Sequence, residues 1–311
     1  MKSASDKSWV DELRRAELLP DSYAATVSDY VVPLAERIRT LQVFLGRPVV
    51  IGINGAQGSG KTTFALFLAS WLERELGLRS VCLSLDDLYL DKKARQSLAE
   101  QHHPLLKTRG VPGSHDVALG IKTLAELTNS GSDRTVKLPV FDKAIDDLLE
   151  ESAWQSVDGP VDIVLLEGWC VGAQPQSNES LNSPINALEA GEDVDGGWRT
   201  FVNEALMHDY ADLFGLLDAL VMLRIPSFDK VIEWRELQEQ KLRENVDEQN
   251  PGEAAGMSPE EIRRFIMHFE RLTRHMLEHM PGLADTVIDI DTSHCTVAIT
   301  HNDWLFERPP P

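Results

Sequence analysis

The stretch Val49-Val-Ile-Gly-Ile-Asn-Gly-Ala-Gln-Gly-Ser-Gly-Lys-Thr-Thr63 decides the fold of this chain. It opens with a run of β-branched residues typical of a buried strand, and a helical pattern follows from Thr63 to Glu75. The residues between them match the phosphate-binding pattern G-x-x-x-x-G-K-[ST], whose fixed positions are Gly55, Gly60, Lys61 and Thr62. A strand, a glycine-rich loop and a helix in this order predict a P-loop.

The loop residues suit the phosphates of a nucleotide. Glycines let the backbone turn through conformations that residues with a Cβ avoid, so that N–H groups point inward at a phosphate. The start of the following helix adds its positive end. We expect Lys61 to reach the β and γ phosphates and the Thr62 hydroxyl to ligate Mg²⁺. The predicted phosphate-binding residues are Gly55, Ala56, Gln57, Gly58, Ser59, Gly60, Lys61, Thr62 and Thr63.

The charge balance limits the partners that this chain can bind. Its 311 residues carry 50 acidic and 30 basic side chains, a formal net charge of -20 at pH 7. Such a surface repels polyanions and anionic membranes, so neither a nucleic-acid nor a membrane partner is expected. An anionic small molecule must instead be held by a few local cations.

The cysteines and the apolar runs indicate the compartment. The three cysteines, Cys82, Cys170 and Cys295, match no zinc or redox spacing, and a sparse, odd count favours a reducing environment. Residues 1–7 are polar, and no run reaches the length of a membrane-spanning helix. We therefore expect a soluble, cytoplasmic protein.

The pattern of strands and helices predicts an α/β fold. Residues 1–47 are expected to form an N-terminal helical extension, and residues 48–311 a nucleotide-binding domain. Apolar strands that alternate with helices indicate a mostly parallel sheet covered by helices on both faces. The acidic stretch 172–197, which has no Lys or Arg, is predicted to be a surface insertion or loop. Strands are expected at Val49 to Ile53, Ser80 to Leu85, Thr135 to Val140, Val161 to Leu166, Ala219 to Ile225 and Thr286 to Ile290.

Acidic residues follow two of these strands. Asp86 and Asp87 come after the second strand, and Glu167 ends the strand Val161 to Leu166. Parallel sheets bind ligands at the carboxyl ends of their strands, so these side chains should lie near the P-loop. Asp86 or Asp87, on a strand expected to neighbour the P-loop strand, can take the proton of a substrate hydroxyl, or can merely cap the next turn. Glu167 is predicted to hold Mg²⁺.

Polar residues in two loops complete the predicted site. Arg and Lys side chains suit a carboxylate or a phosphate, and an Asp carboxylate suits hydroxyls. Each such residue can instead be a solvated loop residue or a helix cap. Together with a phosphate cradle and a metal, cations and an acid near the attacking hydroxyl are what phosphoryl transfer requires. The predicted substrate-binding residues are Arg109, His115, Asp116 and Lys143.

Two long helices are expected near the end of the chain. They are Asp229 to Glu244 and Pro259 to Met280, with a loop over residues 245–257 between them. On the second helix, Arg271 and Arg274 are three residues apart and share a face, so both can point at one bound phosphate. A helical lid over residues 258–280 is one interpretation, and an ordinary amphipathic helix is the other.

Six segments of the chain are similar to one known family. They are Gly-Ile-Asn-Gly-Ala-Gln-Gly-Ser-Gly-Lys-Thr-Thr (52–63), Leu-Ser-Leu-Asp-Asp-Leu-Tyr-Leu (83–90), Arg-Gly-Val-Pro-Gly-Ser-His-Asp (109–116), Pro-Val-Phe-Asp-Lys-Ala (139–144), Glu-Gly-Trp-Cys-Val-Gly (167–172) and Trp-Arg-Glu-Leu-Gln-Glu (234–239). In this order they resemble the phosphoribulokinase and uridine kinase group of P-loop kinases. Within that group, they are most similar to the branch of D-glycerate 3-kinase.

The resemblance implies roles for individual residues. Asp86 would be the catalytic base. Lys61, which is expected to bind the phosphates, would be the second catalytic residue. Asp87 would then bind metal or substrate, and Asp116 matches a position that holds substrate hydroxyls. A further implication is that the two arginines of the last long helix, Arg271 and Arg274, belong to a lid.

The resemblance also implies the reaction. It indicates an ATP- and Mg²⁺-dependent kinase that phosphorylates a hydroxyl of a small molecule, with D-glycerate to 3-phosphoglycerate as the best match. A hydroxy acid would place its carboxylate on Arg109 or Lys143. The alternatives are a uridine, pantothenate or sugar kinase of the same group and a non-catalytic, nucleotide-dependent regulator. The chain contains no Asn-Lys-x-Asp guanine signature, which disfavours a GTPase switch.

Overall fold

The computed structural model describes residues 8–129, 131, 134–236, 258–304 and 307. Residues 237–257, which include the predicted loop 245–257 and the end of one predicted helix, lie outside this part of the chain. The strands are β1 Val49–Gly55, β2 Ser80–Ser84, β3 Thr135–Leu138, β4 Phe141–Asp142, β5 Asp147–Leu148, β6 Gln155–Asp158, β7 Ile163–Gly168, β8 Ala219–Arg224, β9 Thr286–Ile290 and β10 Thr296–His301.

The helices connect these strands and cover the sheet. Short 3₁₀ turns and one π-helical turn, Val27–Val31, join them. The helix α10 is given by its described residues. The helices are α1 Ser8–Ala16, α2 Tyr23–Thr26, α3 Val32–Leu45, α4 Lys61–Leu76, α5 Lys92–Gln101, α6 Val117–Thr128, α7 Ala187–Glu192, α8 Gly197–Met207, α9 Asp209–Phe214, α10 228–236 and α11 Pro259–His279.

The main sheet confirms the predicted α/β class. Its strand order is β10-β9-β8-β1-β7-β2, with all strands parallel except β10, which runs antiparallel to β9. The expectation that β2 neighbours the P-loop strand β1 is wrong, because β7 lies between them. The predicted strand at Thr135 to Val140 is shorter and pairs with β6 in a separate two-stranded sheet. Apolar runs predict strands but not their order.

Alternation along β1 explains why both faces of the sheet are covered. Ile51 and Ile53 face a core formed with α1, α3 and α4, whereas Val50 faces a second core formed with α6, α9 and α11. Side chains of a strand alternate between faces, so a strand that is apolar throughout needs helices on both sides. The P-loop strand therefore lies at the centre of the molecule.

The N-terminal helices belong to the first core. The Trp9 indole lies 5.9 Å from the ring of Trp71 and donates a hydrogen bond of 2.9 Å to Glu75. The rings of Tyr23 and Phe67 are 5.0 Å apart. These partners all lie on α4, the helix that follows the P-loop. The N-terminal helices therefore form a layer on the nucleotide-binding fold. Among the described residues, no helix is long and apolar enough to cross a membrane.

Most residues of the acidic stretch 172–197 are exposed, as its composition predicts, but the stretch is more than a surface loop. It contains α7 and fully buries Glu189 and Asp193. Arg199 on α8 donates to Asp193 at 2.9 Å, and Arg271 on α11 donates twice to Glu189, at 2.8 and 2.6 Å. The arginines that neutralise this stretch come from outside it, so its local sequence does not reveal them. Two buried ion pairs join it to the second core.

Removing one partner of a buried ion pair leaves the other charge buried, with neither a counter-charge nor water to stabilise it. We therefore expect Arg271→Met to lower the free energy of unfolding by about 3–5 kcal/mol. The control is Arg274→Met on the same helix, because its side chain is 51% exposed and its pair with Glu270 should contribute below about 1 kcal/mol. Urea unfolding of both variants tests this, and equal, small losses would contradict the structural role of Arg271.

Candidate active site

A polar cleft of about 250 Å³ lies at the carboxyl ends of β1, β7 and β2. It brings together six of the predicted site residues, three of which, Gln57, Gly58 and Lys61, belong to the P-loop. Aromatic side chains form the rest of its wall: Tyr89, Trp169, Phe265 and Phe269. Its charged side chains are Lys61, Asp86, Arg109, Lys143 and Arg235. The cleft therefore offers four cations and one acid to a bound molecule.

The P-loop has the backbone that its glycines predict. Gly58 and Gly60 have φ angles of 78° and 81°, in the left-handed region that other residues avoid. A Cβ at Gly58 would lie 3.2 Å from the Cβ of Trp234, so a side chain there would be crowded as well as strained. α4 begins at Lys61, directly after this turn. The loop therefore places Lys61 and Thr62 in the first turn of a helix whose positive end faces the cleft.

Thr62 and Glu167 meet as a metal site requires. The Thr62 hydroxyl donates to Glu167 Oε1 at 3.1 Å. Glu167 is 4% exposed, and its Oε2 is buried without a hydrogen-bond partner among the described residues. A buried carboxylate oxygen that lacks a partner beside a hydroxyl fits a hard cation such as Mg²⁺. No cluster of three or more His, Cys, Asp or Glu suits a metal in the described ranges, and Mg²⁺ commonly uses few protein ligands with substrate phosphates.

The structure separates the adjacent acids Asp86 and Asp87. Asp87 accepts a hydrogen bond of 3.1 Å from the backbone N–H of Phe141 and does not line the cleft. Burial raises the pKa of the Asp87 carboxyl, and the negative charges of Asp86 and Glu167 raise it further. A divalent cation at Glu167 would relieve that repulsion. Asp87 thus lies close enough to Glu167 for that negative charge to raise its pKa, whereas Asp86 faces the cleft.

Asp86 has a donor on each carboxylate oxygen. The Tyr89 hydroxyl donates to Oδ1 at 2.7 Å, and Lys143 Nζ donates to Oδ2 at 2.6 Å. Burial alone would raise the pKa of this carboxyl, but the charges of Lys143 and Lys61 outweigh it and hold the pKa at about 2. Asp86 is therefore ionised at neutral pH and is positioned between a buried phenol and an exposed amine.

One hairpin, β4 to β5, carries Lys143 and binds Arg109. Lys143 begins the turn between β4 and β5, and Asp146 ends it with a φ of 58°. The Asp146 carboxylate binds both Arg109 and Arg95, the latter at 3.0 Å. Arg109 also lies over the ring of Phe141, 5.6 Å from its centroid. The acid that binds Arg109 thus does not line the cleft, whereas the acid that binds Lys143, Asp86, does.

His115 and Asp116 do not line the cleft, contrary to the prediction that they bind substrate. His115 is buried, its Nδ1 is hydrogen-bonded to the Tyr210 hydroxyl, and its ring stacks on Tyr89 at 4.7 Å. Asp116 caps α6 by accepting from the Leu119 N–H at 2.9 Å. A short sequence pattern cannot separate a residue in the cleft from one behind it. The two residues support the loop on which Tyr89 rests.

The lid prediction for Arg271 and Arg274 does not fit this arrangement either. Arg271 is bound to Glu189, and Arg274 binds Glu270 at 2.8 Å and lies over the ring of Phe228. The two arginines bind different acids, so a shared helix face does not place them at a common phosphate-binding site. The cleft receives instead Arg235, from α10. Its segment, 234–239, is one of those that carry the family resemblance, and that signal could have identified it.

A second cleft, of about 440 Å³, contacts the P-loop at other residues. Its walls come from the N-terminal helices, with Tyr23 and Tyr30, and from the turn between β9 and β10, with Ser293. Ser59 and Thr63 of the P-loop region form its inner end. No role for the N-terminal helices was predicted. The structure makes them one side of a largely apolar cleft next to the predicted phosphate site.

The burial of His115 predicts a pH dependence of stability. Burial lowers the pKa of His115 to about 4 from its ordinary 6.5. Between those two values the unfolded chain binds a proton that the folded chain does not, so stability falls as the pH falls from 6.5 towards 4. We expect the stability advantage of wild type over His115→Phe to shrink by about 2 kcal/mol from pH 7 to pH 4.5. Urea unfolding at both pH values measures it, and an advantage that does not change would contradict the buried neutral imidazole.

The chain is similar to kinases in sequence and in structure, although no family model matches it. It is 33% identical over 234 residues to an uncharacterized kinase, mug58, of Schizosaccharomyces pombe, which covers 72% of this chain and 79% of that protein. It is 31% identical over 231 residues to the chloroplastic D-glycerate 3-kinase of Arabidopsis thaliana, which covers 71% of this chain and 46% of that protein.

A solved structure gives the same result. The D-glycerate 3-kinase from Cryptococcus neoformans var. grubii serotype A matches with a TM-score of 0.71 and 25% identity, over 88% of this chain and 99% of that one. The sequence matches and the fold thus agree over most of the chain. With its P-loop between β1 and α4, this protein is a phosphotransferase that belongs to the D-glycerate 3-kinase-like branch of the phosphoribulokinase and uridine kinase group of P-loop kinases.

Proposed function

We propose that this protein transfers the γ-phosphoryl group of ATP, with Mg²⁺, to a hydroxyl of a small hydroxy acid, and that D-glycerate is the acceptor and 3-phosphoglycerate the product. The observation that carries the proposal is the contact between Asp86 and Lys143 in a cleft that also holds Lys61. An acid for the hydroxyl and an amine for the carboxylate lie side by side next to the phosphate-binding lysine. The named D-glycerate 3-kinases among the similar proteins support the choice of acceptor.

The donor would lie across the P-loop. Its phosphates suit the loop N–H groups and Lys61, and its nucleoside suits the second cleft, whose volume of about 440 Å³ and tyrosine-lined wall fit a flat, partly apolar base. Thr62 and Glu167 would hold Mg²⁺, which supplies charge stabilisation to the phosphates. The P-loop thus lies between the two clefts.

The acceptor would bind in the smaller cleft. A volume of about 250 Å³ is below that of most drug-sized sites, about 300–1,000 Å³, and so favours a small metabolite. Four cations suit a substrate that carries a carboxylate and receives a phosphate. Arg109 is paired with Asp146 and Lys143 with Asp86, and Lys143 is the better candidate for the carboxylate because its side chain is 60% exposed, against 27% for Arg109. Lys61 and Arg235 also line the cleft and are the candidates for the transferred group.

The reaction then follows from these positions. The acceptor hydroxyl donates its hydrogen bond to Asp86, and its oxygen attacks the γ-phosphorus. The new O–P bond forms as the bond between the γ-phosphorus and the β,γ-bridging oxygen breaks, and ADP leaves with that electron pair. The hydroxyl proton passes to Asp86. Lys61 and Arg235 stabilise the charge on the transferred oxygens.

The acceptor is tested by ADP formation with purified protein, MgATP and a panel of D-glycerate, L-lactate, pantothenate, uridine, ribose and glycerol. We expect D-glycerate to stimulate turnover most, because it joins a carboxylate to a primary hydroxyl within a small molecule. Stimulation by uridine or ribose alone would contradict the hydroxy-acid proposal while leaving the kinase family unaffected. Slow hydrolysis that no acceptor changes would favour the nucleotide-dependent regulator.

The role of Asp86 is tested by Asp86→Asn. An amide cannot accept the hydroxyl proton, so we expect kcat to fall by about 10²–10⁴-fold while the affinity for ATP stays within a few-fold. Asp91→Asn is the matched control, because Asp91 only caps α5 through the Ala94 N–H, and asparagine caps equally well. A kcat of Asp86→Asn within a few-fold of wild type would remove Asp86 from this role.

A further inference from the structure

We propose that Lys143 is a specificity switch: it occupies Asp86 until the carboxylate of an acceptor draws it away and leaves Asp86 Oδ2 open to the acceptor hydroxyl. The proposal rests on the proposed function and adds to it how the protein would distinguish an acid from a neutral polyol. In this account Lys143 both binds the acceptor and controls access to the acid that positions its hydroxyl.

The two oxygens of the Asp86 carboxylate accept from donors on opposite sides. Tyr89 holds Oδ1 from the protein side, since its side chain is 6% exposed. Lys143 holds Oδ2 from the solvent side, since its side chain is 60% exposed. An acceptor enters the cleft from solvent and therefore meets the oxygen that Lys143 covers. A hydroxyl can bind there in ideal geometry only after the amine has moved.

Of these two donors, Lys143 can move and Tyr89 cannot. The Tyr89 ring is stacked on His115 at 4.7 Å and lies edge-on to Phe141 at 5.1 Å. The Lys143 side chain is a flexible, exposed chain with a compact charge. The ion pair is partly open to solvent, with 60% of the Lys143 side chain and 26% of the Asp86 side chain exposed, so solvent weakens it and a second carboxylate can compete for the amine. Displacing the Lys143 amine from Asp86 therefore costs little free energy, whereas the packed Tyr89 ring keeps its hydroxyl on Asp86.

The hairpin that carries Lys143 is held in place through both of its strands and its turn. Its first strand is tied to Asp87 through the Phe141 N–H, and its second strand to α5 through Asp147, which accepts from the Lys92 N–H at 2.9 Å. Asp146 in the turn is bound to Arg95 and Arg109. The backbone at Lys143 therefore stays in place while its side chain turns, and the exchange needs no loop closure.

Charge balance then explains the selectivity. When the acceptor is an acid, Lys143 exchanges one carboxylate for another and no ion pair is lost. When it is a neutral polyol, release of Asp86 leaves the amine without a partner in the cleft, so the ion pair persists. Glycerol has the primary hydroxyl of D-glycerate but no carboxylate. We infer that wild type discriminates against glycerol by leaving Asp86 covered as well as by weaker binding.

The test is the turnover of D-glycerate and of glycerol by Lys143→Gln, which removes the charge that covers Asp86. We expect kcat/KM for D-glycerate to fall at least about 10-fold and kcat for glycerol to rise at least about 10-fold over wild type. A residue that only binds the carboxylate would leave glycerol turnover unchanged, and a residue that only stabilises the phosphoryl group would lower both. Either of these two results overturns the switch.

Two controls keep the outcome interpretable. Lys93→Gln changes an exposed lysine on α5 and should leave both turnovers as in wild type. Lys143→Arg keeps a cation beside Asp86 and should keep glycerol turnover low. An unchanged ATP affinity of Lys143→Gln shows that it is folded. Wild type that does not phosphorylate D-glycerate overturns the proposed function itself, whereas active wild type without a gain for glycerol in Lys143→Gln overturns the switch alone.

Discussion

The parallel pairing of β7 with both β1 and β2 is the constraint on which the site depends. In the register of the sheet, Glu167 on β7 lies opposite Ile53 on one side and Ser84 on the other. This places the P-loop, the predicted metal ligand and the turn with Asp86 at one edge of the sheet. A shift of one residue would also turn each side chain of β7 to the other face. The buried apolar residues of β7 therefore position the chemistry as well as the core.

Local charge, rather than the charge of the whole protein, defines the cleft. A chain with a net charge of -20 collects four cations around Asp86. Some of its acids serve to hold arginines in place: Asp146 binds Arg109 and Arg95, and Glu189 binds Arg271. An anion that approaches this protein is repelled by its net charge and attracted by the four cations of this cleft. Such an arrangement favours a small, singly charged acceptor over a polyanion.

Local sequence predicted much of the site because its patterns are local. The strand, loop and helix of the P-loop are contiguous, and Thr62 follows its lysine directly, so their arrangement could be anticipated. The pairing of Thr62 with Glu167 followed from the rule that parallel strands bind ligands at their carboxyl ends. The choice between Asp86 and Asp87 could not follow in this way, because it depends on a hydrogen bond from Phe141, 54 residues away.

The residues that lie away from their predicted site share one physical cause, which is a partner remote in the chain. Arg271 is three residues from Arg274, yet its acid, Glu189, is 82 residues away and buried. His115 follows a polar loop, but it is buried and hydrogen-bonded to Tyr210, a residue of the second core. Arg235 enters the cleft because α10 packs beside the P-loop, where Trp234 contacts Gly58. Periodicity indicates which residues share a face but does not identify what covers that face.

We propose that Asp86, Lys143 and the P-loop act together to phosphorylate the primary hydroxyl of a small acid. The most direct measurement is proton-coupled phosphorus-31 NMR of the product formed from D-glycerate and MgATP. An ester at the terminal carbon is coupled to two protons and gives a triplet, which is the result expected here. A doublet would place the phosphate on the secondary hydroxyl, and inorganic phosphate without any ester would show that the cleft does not serve as an acceptor site. Either of these two results would contradict the account.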